Sequence, residues 1–139
     1  MSKDIVEVIE NFKFKTHLEP AAFEDVKSAE EALGLKFADE YIRYVLKYGA
    51  VMGDGNEYTG IADDGDSMSV VNATKQAREL DCYDIPSNMY VIENLYIDGI
   101  LGLQDEKGIC YVIAPFTELQ KTADSLADYM LTYMDEVEE

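Results

Sequence analysis

The chain has 139 residues, 47% of them hydrophobic, and a formal net charge of −18. That length suits a single domain spanning residues 1–139, and size scaling gives it a folded surface of about 7,300 Å². The apolar share argues against disorder, and the charge argues against anionic partners such as nucleic acid or acidic lipid.

The first predicted element is a helix over Lys3 to Phe12, where Ile5, Val8, Ile9 and Phe12 recur at helical spacing. A second begins near Pro20, carries Phe23, Val26, Ala29 and Leu33 as its apolar stripe, and stops at Gly34. A third opens at Asp39 and lines Tyr41, Tyr44, Val45 and Tyr48 along one face, widened by Ile42 and Leu46. Only Arg43 and Lys47 stay clearly polar on it, so burial is expected, and Gly49 ends it. Residues 50–69 read as loop, with one short strand around Tyr58 to Ala62. A fourth helix follows, capped by Asn72 or Thr74 and bearing Ala73, Gln76, Ala77 and Leu80.

Strands are expected next. Met89 to Glu93 is one, and Asn94 to Asp98 and Ile100 to Gln104 flank the hairpin dipeptide Asp98-Gly99. The β-branched and aromatic run Ile109 to Ala114 reads as a central strand. The last helix is capped by Thr122 and repeats Leu126, Tyr129, Met130, Tyr133, Met134 and Val137 on one face.

No catalytic constellation emerges. The single histidine, His17, sits in a polar stretch, and nothing in the sequence brings Cys82 or Cys110 to it. Twenty-nine acidic residues make accidental carboxylate pairs common, so a glycosidase-like pair carries no information. The loop from Asp54 fails a calcium-binding pattern, because Tyr58, Thr59 and Gly65 fall where an acid, a glycine and a glutamate belong. No lysine follows Gly53 and Gly55 as a phosphate loop requires. No enzyme activity, cofactor or metal is therefore expected. Cys82 and Cys110 lack metal-ligand spacing and read as reduced thiols. The first twenty residues carry charges and no signal-peptide core, and Ile109 to Phe116 is too short to cross a bilayer, so a cytoplasmic location is expected.

Charge patterning is more informative. Residues 1–47 hold seven bases and ten acids, whereas residues 48–139 hold four bases and nineteen acids, a net of −15. No Lys or Arg lies between Lys47 and Lys75, between Arg78 and Lys107, or after Lys121. Such a field steers basic partners inward. The acidic loop is the candidate binding surface, with Asp54, Glu57, Asp63, Asp64 and Asp66 as its charges and Tyr58 as a possible anchor.

A family resemblance rests on motifs in order. Val26 with Ala29-Glu30, the Leu33-Gly34 corner, then Phe37, Tyr41, Tyr44-Val45-Leu46 and Gly49 resemble the signature segment of the SUKH superfamily. Asp98-Gly99, the Ile109 to Ala114 run and the Leu126 helix resemble its sheet and closing helix. Ala38 stands where a proline is usual, and Tyr48 where an asparagine often precedes the glycine. The resemblance implies an α+β domain, mainly an antiparallel sheet packed against several helices, that acts by binding and has no recognised catalytic residues. It further implies an immunity protein that neutralises a polymorphic toxin, and the acidity fits a basic, nuclease-like one. The alternatives are a regulatory or scaffold protein without a toxin partner, and a small-ligand or metal-binding module.

Overall fold

In the computed structural model the backbone is described for residues 4–138 and side chains for residues 4–132. Among the described residues the chain forms five helices and one seven-stranded sheet. The order is α1 (Ile5–Glu10), β1 (Lys15–His17), α2 (Phe23–Leu33), α3 (Asp39–Tyr48), β2 (Val51–Gly53), β3 (Asn56–Tyr58), α4 (Val70–Glu79), β4 (Met89–Asn94), β5 (Leu101–Asp105), β6 (Cys110–Ile113), β7 (Gln120–Ala123) and α5 (Leu126–Glu138). The strands lie side by side in chain order, and every neighbouring pair is antiparallel. The accessible surface is 7666 Å², close to the size-scaling value.

Helices cover both faces of the sheet. Side chains of α1, α2, α3 and α5 pack with Val51, Tyr58, Tyr90, Ile92 and Cys110 on one face. On the other, Ala77 of α4 packs with Met89, Val91, Leu101, Leu103 and Ile113. The alternation along β4 produces this split, because successive strand side chains point to opposite faces. A β-bulge between Val91 and Glu93 breaks the alternation. It turns Glu93 toward the α5 side, where the Tyr129 hydroxyl donates to its carboxylate at 2.7 Å.

The α3 face is as apolar as its spacing predicts, yet its tyrosines carry hydroxyls that need partners. Tyr44 donates to the Thr59 carbonyl at 2.7 Å and accepts from the Val51 amide at 3.0 Å. Thr59 gives its own hydroxyl proton to the Val91 carbonyl at 2.7 Å, so in the 3.0 Å contact between Tyr41 and Thr59 the tyrosine is the donor. Tyr90 accepts from the Ala38 amide and donates to Gln104, whose amide nitrogen reaches Glu40 at 3.1 Å. Glu40 in turn accepts from the Leu126 and Ala127 amides at 2.6 and 2.9 Å, so a carboxylate on α3 caps the start of α5.

Several expectations need correction. The expected strand over Tyr58 to Ala62 is displaced: β3 ends at Tyr58, and β1 and β2 precede it. The helix expected from Pro20 begins at Phe23, which is exposed rather than core-facing and lies beneath the Lys27 ammonium at 5.3 Å. Ser69 caps α4 by accepting from the Asn72 amide, while Thr74 is buried and accepts from the Val91 amide. Residues 95–100 connect β4 to β5 instead of forming strand. The Ile109 to Ala114 run gives β6, next to the β7 edge, and β4 holds the centre of the sheet. Thr122 lies in β7, and Ser125 together with Glu40 caps α5. Lys3, and the side chains of Tyr133, Met134 and Val137, lie outside the described residues.

Tyr44→Phe removes the partner of both the Thr59 carbonyl and the Val51 amide. Two buried backbone groups are left unpaired, and a loss of about 2–4 kcal/mol in unfolding free energy is expected by denaturant titration. Stability within about 0.5 kcal/mol of the parent contradicts this role for the hydroxyl.

Candidate functional site

The seam between α3 and β3 sets the acidic loop. Gly49 leaves α3 at φ 72°, a positive-φ conformation that favours glycine. Its carbonyl oxygen accepts from the Ile61 amide at 2.9 Å, and a Cβ on Gly60 would collide with that same oxygen. The chain then departs at Gly60 and returns to it. The Gly60 amide donates to the Met68 carbonyl at 2.7 Å, and the Val70 amide donates to the Gly60 carbonyl at 2.9 Å. Residues 61–67 therefore form a closed excursion with fixed ends. Asp66 shapes its return by accepting from the Met68 amide at 2.9 Å.

Opposite this excursion stand the segment Leu18–Ala21 and the exposed side of α2. Between them lies a groove of about 680 Å³. Five carboxylates line it, namely Glu19 and Asp25 on one wall and Asp63, Asp64 and Asp66 on the other, and no Lys or Arg does. Ser28, Ala29, Ala32 and Ala62 contribute short side chains, which leaves room between the acids. Glu19, Asp25, Asp63 and Asp64 are exposed. Among the described residues no group of three or more His, Cys, Asp or Glu is placed to hold a metal ion. The groove presents dispersed negative charge over a concave surface, which suits several cationic side chains better than one compact ion.

The six residues singled out in the sequence do not form one surface. Asp63, Asp64 and Asp66 share the groove. Glu57 is half-buried on β3, in a neighbouring cleft of about 290 Å³ that Asp66 also borders. Asp54 closes the β2–β3 turn, and its carboxylate accepts from the Lys13 and Phe14 amides at 3.2 and 2.9 Å. Its role there is structural. Tyr58 is corrected outright as an anchor: it is 1% exposed and packs against Phe12, so it offers nothing to a partner. Glu19 and Asp25 escaped notice because they lie about forty residues upstream in a stretch of nearly balanced charge, and only the fold brings them across from Asp63.

Two further carboxyls, the buried Glu93 and the half-buried Glu40, reach no groove chemistry. Burial raises Glu93 to about 7, opposed by the Tyr129 hydrogen bond. Burial likewise raises Glu40 above the ordinary carboxylate range, opposed by the Ala127 and Leu126 amides and by Gln104. Both are structural carboxyls, one beneath α5 and the other at its first turn.

The fold is that of an α+β domain in which helices cover both faces of an antiparallel sheet, with an acidic groove beside α2. A family model, SUKH_5, described as SMI1-KNR4 cell-wall, matches residues 2–135, and the chain belongs to that family. Membership is consistent with an immunity or a regulatory role. A solved structure, titled as the crystal structure of a protein from Pseudomonas syringae pv. tomato, superposes with a TM-score of 0.72 at 16% identity, covering 89% of this chain and 93% of that one. That likeness shows a shared fold. No curated protein matches the sequence. Among the described residues no helix is long and apolar enough to cross a membrane.

Glu93 gives a test of the buried electrostatics. Its folded-state value lies above its unfolded one, so the protein binds the extra proton only when folded. The associated stability is fully present below about pH 4.5 and is lost as pH rises through about 7. Glu93→Gln keeps an acceptor for Tyr129 and removes the titration. Its stability relative to the parent should rise by about 3 kcal/mol between pH 4.5 and pH 8, measured by urea titration at each pH. Parallel pH profiles for the two proteins contradict the assignment.

Proposed function

We propose that the protein is an immunity-type binding module that neutralises a basic, nuclease-like toxin domain by direct protein–protein contact, without catalysis and without a cofactor. The observation that carries this reading is the groove itself, with five carboxylates and no base along its walls. A nuclease grips phosphate with Lys and Arg side chains, and those same side chains fit a concave carboxylate surface. Occupying them blocks the substrate site, so inhibition needs no chemistry from the inhibitor. The net charge of −18 adds long-range attraction to such a partner and repels nucleic acid, which would otherwise compete for the same face. The cytoplasm is where a nuclease meets its substrate, and the inhibitor is placed there with it.

Family membership is also consistent with one other reading, a regulatory or scaffold protein without a toxin partner. Co-purification from the native host separates the two. A basic toxin domain held by the chain supports the first, and a housekeeping assembly in the absence of any toxin gene supports the second.

The electrostatic core of the proposal is tested by Glu19→Lys, Asp63→Lys and Asp64→Lys combined. All three side chains are exposed, so the fold should survive. Association with the co-purified basic domain, followed by stopped-flow at low ionic strength, is expected to slow by about tenfold or more, with the gap closing as salt is added. Equal association rates for variant and parent would remove the groove from the interface.

A further inference from the structure

One end of the molecule carries exposed apolar side chains that the core does not use. Leu80 is 51% exposed, Ile97 58%, Tyr96 68% and Phe116 87%. They come from three separate segments, which hydrogen bonds hold together. The Phe116 amide donates to the Cys82 carbonyl at 2.7 Å, and the Tyr83 hydroxyl donates to the Gly99 carbonyl. Gly99 packs so closely on Pro115 that a Cβ there would sit 2.8 Å from its ring. Tyr96 and Phe116 also hold left-handed backbone, at φ 56° and 61°. Bulky aromatic residues adopt that conformation at a cost of about 1–3 kcal/mol each, sustained only where the surroundings fix it. For Tyr96 the fixing contact is its amide on the Asn94 carboxamide at 2.8 Å; for Phe116 it is the Thr117 turn back to Ala114. The backbone of both residues is thus fixed while their rings stand in solvent, at a site where the fold gains nothing from exposing them.

The rim of this patch is acidic. Asp81, Asp84, Asp98 and Glu118 are all exposed, and no Lys or Arg occurs from residue 79 to residue 106. The patch is also continuous with the acidic loop. Leu80, Tyr83 and Tyr96 border one end of the cleft beneath α4, and Gly65 and Asp66 border the other.

We propose that this end is the anchor site of the partner interface, and that its exposed rings pack against an apolar patch on the surface of a basic protein. The proposal rests on the reading that the partner is a basic protein, and it adds where the binding energy is concentrated. Aromatic side chains on a fixed backbone have only two torsions to lose on binding and dominate interface energetics, while surrounding acids match a basic surface around the anchor. An acidic rim repels anionic lipid, and two copies of this chain would face like charge with like charge, so neither a membrane nor self-association fits it as well.

Amide-resolved NMR titration separates the possibilities, using three probes: a peptide alternating lysine with phenylalanine, a lysine-only peptide of equal charge, and anionic phospholipid vesicles. The lysine–phenylalanine peptide should shift the amides of Tyr96 to Gly99 and of Phe116, and the lysine-only peptide those of residues 61–66. Tyr96→Ser with Phe116→Ser should weaken the first peptide at least fivefold and leave the second unchanged. Should the double variant lose its fold, Phe116→Ser alone should weaken the first peptide at least twofold. The anchor site is overturned if the lysine–phenylalanine peptide ignores these residues or binds the variant equally, if vesicles bind there instead, or if the same amides broaden with protein concentration. Failure of the lysine-only peptide to find the groove counts against the acidic-groove reading and leaves the anchor result to stand or fall by itself.

Discussion

The structure depends on the hydroxyl groups of a buried helix face that would otherwise be purely apolar. α3 sits in the middle of the first helical layer, and hydrophobic packing alone would let it slide or rotate. Tyr44 prevents this by satisfying the backbone at two separated points, Val51 at the start of β2 and Thr59 just beyond β3. Tyr41 reaches the same threonine, which is itself tied to β4. A buried hydroxyl without a partner is costly, so these contacts hold one register of helix on sheet. Tyr90, Gln104 and Glu40 extend the arrangement to the first turn of α5. Gly49 and Gly60 then complete the seam, because only glycine at both positions permits the approach that aims residues 61–67 outward.

The acids divide into two populations by what surrounds them. Asp54, Glu40 and Glu93 accept hydrogen bonds from backbone or side-chain donors and hold elements in place. Asp63 and Asp64 stand in solvent, on a loop whose ends are fixed by backbone bonds, and they take no part in the core. Asp66 belongs to both populations, since it shapes the loop and borders two cavities. Concentrating unpaired negative charge around one groove destabilises a compact state through self-repulsion. The basic partner of the proposed function would relieve that repulsion on binding.

Much of this was legible in the sequence, for identifiable reasons. The apolar stripes of α2 beyond Phe23 and of α3 were legible because tyrosine and aliphatic spacing repeats over several turns, and Gly34 and Gly49 mark true ends. β1, β2 and β3 are three residues each, too short for alternation to show, and β7 is the polar run Gln120–Ala123. Phe23 fits the period of α2 but falls in its first turn, where no neighbour covers it. The Glu93 orientation comes from a bulge that no local pattern announces. For the site, charge density singled out Asp63, Asp64 and Asp66, which the fold sets along one groove. It did not reveal the opposite wall, and it placed Tyr58 near a surface where the fold buries it.

The central claim is that the closed excursion over residues 61–67, facing Glu19 and Asp25, is where a basic protein docks. Hydrogen exchange of the chain alone and in complex with its co-purified partner tests this most directly. The account predicts that amide exchange slows across residues 61–67 in the complex, while the β1 edge and α1 exchange at unchanged rates. Slowing confined to β1 and α1, with residues 61–67 exchanging as in the free protein, would contradict it.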